Sequence, residues 1–207
     1  MRGLFVTFEG GDGAGKSTQL GLLAERLRMD GFAVCATYEP GEGATGAALR
    51  QLIQHAGAIA PRTEALLYAA DRAEHVATTI RPALTRGEVV LCDRYLDSSI
   101  AYQGAARNLG ATEIRELSLW ASNHLLPDLT FYFDIDPELA RARQDGEPDR
   151  LEREPLAFHR EVRAQFQRLA AAEPHRFITV DARRPIEELH EEIWQALGPY
   201  LTRVDRR

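Results

Sequence analysis

A glycine-rich run near the start of the chain has residue types suited to holding phosphates. Residues 10–17 match the pattern G-x-x-x-x-G-K-[ST] in full. Its glycines let successive backbone N–H groups turn inward toward phosphate oxygens, and a helix beginning near Lys16 adds its positive end. In such a loop the lysine bridges the β- and γ-phosphates of a nucleoside triphosphate, and the hydroxyl of Ser17 ligates Mg²⁺. The pattern therefore predicts triphosphate binding for phosphoryl transfer. The residues predicted to hold the donor are Gly10, Gly11, Asp12, Gly13, Ala14, Gly15, Lys16, Ser17 and Thr18.

The composition of the chain gives Lys16 further weight. It is the only lysine among 25 basic residues, all the others being arginine. A compact ammonium on a flexible stem reaches between phosphates as a point charge, where a planar guanidinium fits poorly. The single lysine of an otherwise arginine-only set therefore lies at the position where a phosphate loop requires lysine.

A second candidate group follows the apolar run 89–92. Asp93 and Arg94 come directly after it, and residues at the carboxyl ends of parallel strands face the ligand crevice. Asp93 is predicted to approach Mg²⁺, and Arg94 to bind a phosphate with its guanidinium fork. The alternative is a surface ion pair at a strand end, which the nearby phosphate loop makes less favourable.

The third group is a set of arginines around the polar stretch 144–149. We interpret residues 141–153 as a lid whose arginines neutralise the transferring phosphoryl group and whose closure excludes water. Because acidic residues are interleaved, a solvated helix end is the competing interpretation. The arginines are Arg141, Arg143, Arg150 and Arg153, of which Arg141 is assigned to the donor and Arg143 and Arg150 to catalysis.

Alternating strands and helices must position these groups. Hydrophobic periodicity predicts five strands at 4–8, 32–38, 89–92, 129–135 and 177–180. Helices are predicted at 16–29, 47–55, 63–84, 98–103, 112–123, 137–143, 155–172 and 186–201, with a bend near Pro82 in the third. The alternation predicts a doubly covered parallel sheet, an α/β architecture of the P-loop NTPase type formed by residues 1–207 as one domain with a lid segment.

Composition excludes several classes of partner. The net charge of −6 disfavours a general nucleic-acid binder, and no run approaches the ~18 apolar residues of a membrane span. Cys35 and Cys92, the only cysteines, lie in apolar strands and are expected to be buried free thiols. The start of the chain resembles a strand rather than a secretion signal, so a cytoplasmic protein is expected.

The motifs that are missing separate the classes of phosphate-loop protein. The sequence has no N-K-x-D run that reads guanine and no D-x-x-G switch after the first strands, which disfavours a regulatory GTPase. At 207 residues the chain is short for a motor or transporter ATPase. Small phosphate-loop kinases fit its size.

Several further segments, in order along nearly the whole chain, resemble the thymidylate kinases of bacteria. Glu39-Pro40-Gly41 and the Ala-Tyr-Gln-Gly run at 101–104 make the resemblance specific, since the phosphate loop alone is generic. The other segments are Phe8-Glu9 before the loop, Tyr68-Ala-Ala-Asp71-Arg72, Asp93-Arg94-Tyr95, Ser98-Ser99, Pro127-Asp128-Leu129-Thr130 and Asp149-Arg150-Leu151-Glu152.

The resemblance implies ATP and dTMP as substrates, Mg²⁺ as the cofactor and a homodimer, and it assigns roles on the acceptor side. Asp12 would lie near the sugar 3′-hydroxyl and the acceptor phosphate, which Arg94 and Arg50 would hold, and Arg72 would donate to thymine O4. Tyr102 would lie at the sugar, where crowding excludes a 2′-hydroxyl. The remaining acceptor residues are Glu39 in the Glu-Pro-Gly run, Tyr68 stacked on thymine, and Ser99 and Gln103 at the base.

This sequence departs from the family pattern at three positions. Some members carry a basic residue inside the phosphate loop, where this chain has Gly13, so the arginine function is expected to fall on the lid. Tyr38 stands where many bacterial members have arginine, and Glu42 where a second glycine is common.

Three alternatives to a dTMP kinase remain open from the sequence. One is another small phosphate-loop kinase that acts on a deoxynucleoside or a different monophosphate. A second is a switch that hydrolyses ATP slowly and phosphorylates no acceptor. The third is a scaffold that has lost activity, against which the complete phosphate loop argues.

Overall fold

A computed structural model describes residues 3–55, 57–144 and 149–206 of the chain. Five strands form one sheet: β1 Leu4–Gly10, β2 Val34–Tyr38, β3 Val89–Asp93, β4 Leu129–Asp134 and β5 Phe177–Asp181. The helices are α1 Lys16–Met29, α2 Gly43–His55, α3 Pro61–His75, α4 Arg81–Thr85, α5 Leu96–Ser99, α6 Ala111–Ala121, α7 Pro137–Arg141, α8 Leu156–Ala172 and α9 Ile186–Leu201. Two π-helical segments, Val76–Ile80 and Ile100–Ala106, continue α3 and α5. None of the helices described is long and apolar enough to cross a membrane.

The sheet is entirely parallel, with the strand order β2-β3-β1-β4-β5. The register pairs Phe8 of β1 with Asp93 of β3, and Asp93 with Tyr38 of β2. The loops that follow β1, β2 and β3 therefore leave the sheet at one edge, as the sequence predicts.

Side chains alternate between two apolar layers on the faces of the sheet. On one face, Val6 and Phe8 of β1 pack with Leu23 of α1 and Ile193 of α9. On the other face, Phe5 belongs to a layer formed with α3 to α6 and α8. Helices thus cover both faces, which confirms the predicted α/β architecture.

The two cysteines differ in burial because their strands occupy different places in the sheet. Cys92 on β3 is fully buried, but Cys35 on β2 is only partly buried. The expectation that both thiols are buried is therefore wrong for Cys35, because β2 is an outer strand and has a neighbouring strand on one side only.

The predicted helix at 63–84 is interrupted before its proline. The change in hydrogen bonding falls at the π-helical segment Val76–Ile80, and Pro82 occupies the first turn of α4. Proline has no N–H to donate and its ring crowds the carbonyl four residues earlier, at Thr78. A π-helical turn is one of the devices that accommodate such a break.

Candidate active site

The phosphate loop, residues 10–17, links β1 to α1 at the carboxyl edge of the sheet. Lys16 is only 5% exposed, and its Nζ donates to the carbonyl of Gly11 at 2.7 Å. Burial, together with the charge of Arg94, lowers the pKa of Lys16, while nearby carboxylates oppose this shift. The ammonium is thus held inside the loop, close to the backbone that would surround a phosphate.

Gly13 lies where the loop meets α7. Its φ is +76°, and a Cβ at this position would stand 2.2 Å from the carbonyl oxygen of Ala140. A contact that close to backbone forces a shift, so a side chain is excluded both by conformation and by space. This explains why a basic residue inside the loop, as in some family members, has no room here.

Ser17 and Asp93 form the candidate magnesium site. The Ser17 hydroxyl donates to Oδ2 of Asp93 across a very short contact. The other carboxylate oxygen, Oδ1, is buried and has no hydrogen-bond partner among the residues that the structure describes. A hydroxyl beside a carboxylate with a spare buried oxygen is a donor set that suits Mg²⁺, which prefers oxygen ligands.

Arg94 is the hub of the turn after β3. It adopts a left-handed backbone conformation (φ 66°), and its guanidinium donates to the Gly10 carbonyl at 3.0 Å and to Asp12 at 2.5 Å. The hydroxyl of Tyr102 donates to the second oxygen of Asp12 at 3.0 Å. Burial would raise the pKa of Asp12, but the charges of Arg94 and Lys16 outweigh it and lower this pKa to about 2. Asp12 is thus a carboxylate at neutral pH, paired with the arginine that is predicted to bind phosphate.

Glu9 holds the turn after β3 in place through hydrogen bonds to Tyr95 and Ser98. Its fully buried carboxyl accepts from the Tyr95 backbone N–H at 2.8 Å and from the Ser98 hydroxyl at 2.5 Å, and Ser98 in turn accepts from Arg94. Burial, with the nearby charge of Asp97, raises the pKa of Glu9 to about 8. The sequence assigned Glu9 no role, although an acidic residue inside an apolar strand is a usable signal.

A buried polar cluster surrounds Arg72, which is 1% exposed. Its Nε donates to Glu39 at 3.0 Å, Nη1 to Ser118 at 3.1 Å and Nη2 to Ser99 at 3.1 Å. The other oxygen of Glu39 lies 2.9 Å from Nδ1 of His75. The sequence does not predict that His75 and Ser118 belong to this cluster, because their contacts join elements that are far apart along the chain.

Arg50 lies beside the Glu-Pro-Gly turn. Its Nη1 donates to the Pro40 carbonyl at 2.6 Å, and its guanidinium carbon lies 5.7 Å from the ring centre of Tyr38. A Cβ at Gly41 would stand 2.7 Å from Cδ of Arg50, so the arginine side chain would have to leave its present position if residue 41 were not glycine. Tyr38 therefore supplies an aromatic face for Arg50 at one of the positions that departs from the family pattern.

Two adjoining cavities open at this edge of the sheet. The phosphate-loop cavity, of about 810 Å³, is lined by loop residues that include Lys16, Ser17 and Thr18. The inner cavity, of about 180 Å³, lies deeper between α2, α3 and α5. Both cavities are lined by Asp12, Glu39, Arg50, Arg94 and Glu152. A group bound in one cavity would therefore meet a group bound in the other at Asp12 and Arg94.

All eight residues assigned to the acceptor line the inner cavity. These are Glu39, Arg50, Tyr68, Arg72, Arg94, Ser99, Tyr102 and Gln103. The donor residues are less uniform. Gly11 lines a smaller cavity beside α7, Gly10 presents its carbonyl to Arg94, and Ala14 is buried in the core.

The arginines of the lid point in different directions. Arg141 lines the smaller cavity beside α7, and Arg143 donates to the Ala182 carbonyl at 2.8 Å. Arg150 is paired with Glu64 at 2.6 Å. The lid residues that line the phosphate-loop cavity are instead Gln144 and Glu152. The middle of the predicted lid, residues 145–148, lies outside the described residues, and contact between the lid arginines and phosphate stays a prediction.

A phosphate loop at the carboxyl edge of a doubly covered parallel sheet defines a P-loop NTPase fold. A family model described as thymidylate kinase matches residues 8–193. A thymidylate kinase of Leifsonia xyli subsp. xyli is 60% identical over 195 residues, covering 92% of each chain. One from Synechococcus sp. (strain JA-2-3B'a(2-13)) is 48% identical over 198 residues, covering 96% of each. The crystal structure of thymidylate kinase from Ehrlichia chaffeensis has a TM-score of 0.78 and 31% identity, covering 95% of this chain and 99% of that one. The chain belongs to the thymidylate kinase family.

Proposed function

We propose that the protein transfers the γ-phosphoryl group of ATP to dTMP, giving ADP and dTDP. The observation that carries the proposal is the meeting of two cavities at Asp12 and Arg94. One cavity is built from a phosphate loop, and the other is lined by an aromatic ring, a buried arginine, hydroxyls and an amide, which suit a pyrimidine nucleotide. Membership of the thymidylate kinase family supports the same substrates.

On the donor side, the loop binds the phosphates with backbone N–H groups and with Lys16. Because the ammonium is buried and already near the loop carbonyls, it needs little reorganisation to reach the β- and γ-phosphates. Ser17 and Asp93 would hold Mg²⁺, which when bound neutralises charge on the donor phosphates. No covalent enzyme intermediate is required, since positioning and charge neutralisation account for this kind of transfer.

On the acceptor side, Arg94 would exchange one of its present partners for the monophosphate. Its fixed backbone turn and its bond to Ser98 hold the guanidinium at the boundary of the two cavities, while Asp12 stays ionised beside it. Arg50 gives a second guanidinium in the lining of both cavities. Together they would align the acceptor oxygen with the donor phosphorus and offset the repulsion between two anionic substrates.

Base selection would rest on Arg72. Glu39, Ser99 and Ser118 hold its guanidinium, and one N–H of Nη1 has no other partner among the described residues. Arginine can only donate, so thymine O4 is a match and the amino group of cytosine is not. Tyr68 offers an aromatic face, and Tyr102, 4% exposed at the Asp12 carboxylate, would crowd a 2′-hydroxyl.

An acceptor panel tests the proposal. The protein is incubated with ATP and Mg²⁺ plus dTMP, dUMP, dCMP or thymidine, and both ADP and the phosphorylated product are measured. We expect dTDP to form fastest and dCMP to react poorly. Release of ADP without a phosphorylated acceptor would favour a hydrolysing switch, and preference for thymidine or dCMP would favour another small kinase. Either result would overturn the proposal.

Substitution of Arg72 tests base recognition separately. Arg72→Ala is expected to weaken dTMP binding much more than ATP binding in separate calorimetric titrations. Arg62→Ala, an exposed arginine on the same helix, is the matched control and should change neither. Equal losses for both nucleotides would show that Arg72 does not read the base.

We propose further that residues 1–207 act as one domain with 141–153 as its lid, and that two copies form a homodimer. Leu52, Leu66 and Trp120 support the dimer, because these large apolar side chains are exposed on the adjoining helices α2, α3 and α6. Analytical ultracentrifugation should give twice the chain mass, and Trp120→Glu should lower it. A location in the cytoplasm, where ATP is available, fits the two free thiols, Cys35 and Cys92.

A further inference from the structure

Glu64 lines neither of the two large cavities, but its carboxylate contacts Gln103, which lines the inner one. It stands in the first turn of α3 and is fully buried, yet its carboxylate receives three side chains. Gln103 Nε2 donates at 2.8 Å, Arg150 Nη1 at 2.6 Å, and Arg107 at 3.4 Å from each of two nitrogens. We call these four residues the anchor cluster. A buried acid is rarely retained without partners, and this one joins the acceptor wall to the lid.

The lid side of the anchor cluster is held by more than Glu64. Arg150 Nε donates to the Ile53 carbonyl at 3.0 Å, at the end of α2, and Gln54 donates to Asp149 at 3.3 Å. Leu151, next along the chain, is buried in the apolar layer. Asp149, Leu151 and Glu152 all line the inner cavity. The base of the lid therefore forms part of the acceptor wall, and Arg150 fixes where it sits.

The cavity side of the cluster is Gln103. Its amide nitrogen donates to Glu64, so the carboxylate fixes how the amide is turned within a cavity that Gln103 lines. An amide turned the other way would offer a donor where an acceptor had been. Glu64 thus sets a hydrogen-bonding group at the acceptor base as well as the position of the lid.

Charge balance explains why a glutamate suits this position. Arg107 bridges Glu64 and Glu154, with 2.7 Å to the latter, so two guanidiniums face two carboxylates. Without the charge of Glu64, the two guanidiniums of Arg150 and Arg107 would face a single carboxylate, that of Glu154, in a largely buried place. An unbalanced buried charge of this kind is destabilising. Nη2 of Arg150 is itself buried and without a partner among the described residues, and within that part of the chain the carboxylate that meets the charge of Arg150 is Glu64.

We propose that Glu64 is a positioning residue that couples the lid to the acceptor pocket, and that Arg150 works by anchoring the lid to it. The inference rests on the proposed function, because it concerns the pocket assigned to dTMP. It differs from the expectation that Arg150 neutralises the transferring phosphoryl group. An anchoring Arg150 acts on the acceptor through its contact with Glu64, so losing Arg150 should reproduce the part of the Glu64 effect that passes through the lid, and should add little once Glu64 is lost.

Steady-state kinetics of Glu64→Gln, Arg150→Met and the double variant test this coupling. Glu64→Gln is expected to raise KM for dTMP about tenfold, and Arg150→Met to raise it by no more than that, while KM for ATP changes less than about twofold in each; the double variant should resemble Glu64→Gln. Glu25→Gln, an exposed glutamate on α1, is the matched control and should behave as wild type. The proposal would be overturned if KM for dTMP rose about a hundredfold in the double variant, or if the single variants lost kcat with KM for dTMP unchanged.

Limited trypsin digestion gives a readout independent of turnover. Cleavage after Arg150, followed by mass spectrometry, should be at least about fivefold faster in Glu64→Gln than in wild type, while Glu25→Gln should match wild type. Equal rates in all three would contradict the anchoring role. If Glu64→Gln does not fold, Arg150→Met alone decides the question, because anchoring predicts a rise in KM for dTMP and phosphate contact predicts a loss of kcat. A wild-type protein that does not phosphorylate dTMP would refute the proposed function, whereas the digestion result concerns the anchor alone.

Discussion

Gly13→Ala puts the smallest possible side chain where the phosphate loop touches α7. The new Cβ would stand 2.2 Å from the carbonyl oxygen of Ala140 and 3.2 Å from Cγ of Gln144. The obstructing atom at 2.2 Å is backbone of α7, so either the loop or α7 must move. The loop must also keep a φ of +76°, which alanine adopts poorly.

The two costs can be estimated separately. A non-glycine residue in the left-handed region costs about 1–2 kcal/mol. Overpacking of a well-packed contact costs about 1–3 kcal/mol more. Alanine also lowers the conformational entropy of the unfolded chain, which stabilises the folded state by about 0.4–1 kcal/mol. Gly13→Ala should therefore lower the free energy of unfolding by roughly 1–4.5 kcal/mol, and Gly13→Arg by no less, with phosphoryl transfer impaired in both.

Urea unfolding of three alanine variants measures this directly. Gly11→Ala changes the same loop at a position with a negative φ and open space, and Gly21→Ala changes an exposed position within α1. Gly11→Ala should be close to neutral, and Gly21→Ala should stabilise by about 0.5–1 kcal/mol because alanine favours helix. The reasoning would be refuted if Gly13→Ala were within about 0.5 kcal/mol of wild type, or if Gly11→Ala were equally harmful.

Three further outcomes follow from the site. Lys16→Ala should lower kcat by about 10²–10³ while leaving the melting temperature nearly unchanged, and wild-type ADP release in a coupled assay would exclude its role. Asp93→Asn should raise the Mg²⁺ concentration for half-maximal turnover at least about tenfold; an unchanged Mg²⁺ titration would show that Asp93 does not serve the metal. The pKa of Glu9 rises from 4.5 to about 8 on folding, so the folded state binds a proton that the unfolded state releases between these values. The free energy of unfolding of the wild type should accordingly fall by up to a few kcal/mol as pH rises from about 5 to 8, and that of Glu9→Gln should fall less. If urea unfolding gave the same pH dependence for both proteins, the raised pKa of Glu9 would be contradicted.

The sequence predicts the architecture well because local patterns determine it. Periodic apolar residues predict α1 and α9 with the same bounds that the structure has. The exceptions arise from context along the sheet or helix. The partial exposure of Cys35 depends on which strand lies at the edge, and the interruption before Pro82 depends on how a helix accommodates a missing donor.

The candidate site is predicted only where a motif or a family resemblance names the residue. Residues 10–17 follow a spacing rule, and the acceptor residues follow from resemblance. Glu64 and His75 have no such signal, because each acts through a partner that is far away along the chain and that only the fold brings close. Glu9 has a weaker signal, as an acid inside an apolar strand, but its partner Ser98 is equally remote in sequence. Arg150 shows the same limit, since nothing in the sequence indicates its ion pair with Glu64, while its contact with phosphate stays a prediction.

The most direct test of the central claim is a single-turnover transfer with γ-labelled ATP. Excess protein, Mg²⁺ and dTMP are mixed with trace labelled ATP, and the products are separated by chromatography. The label is expected to appear in dTDP, with little as free phosphate, and Lys16→Ala should slow its appearance. Label released mainly as inorganic phosphate, with dTMP unchanged, would contradict the account.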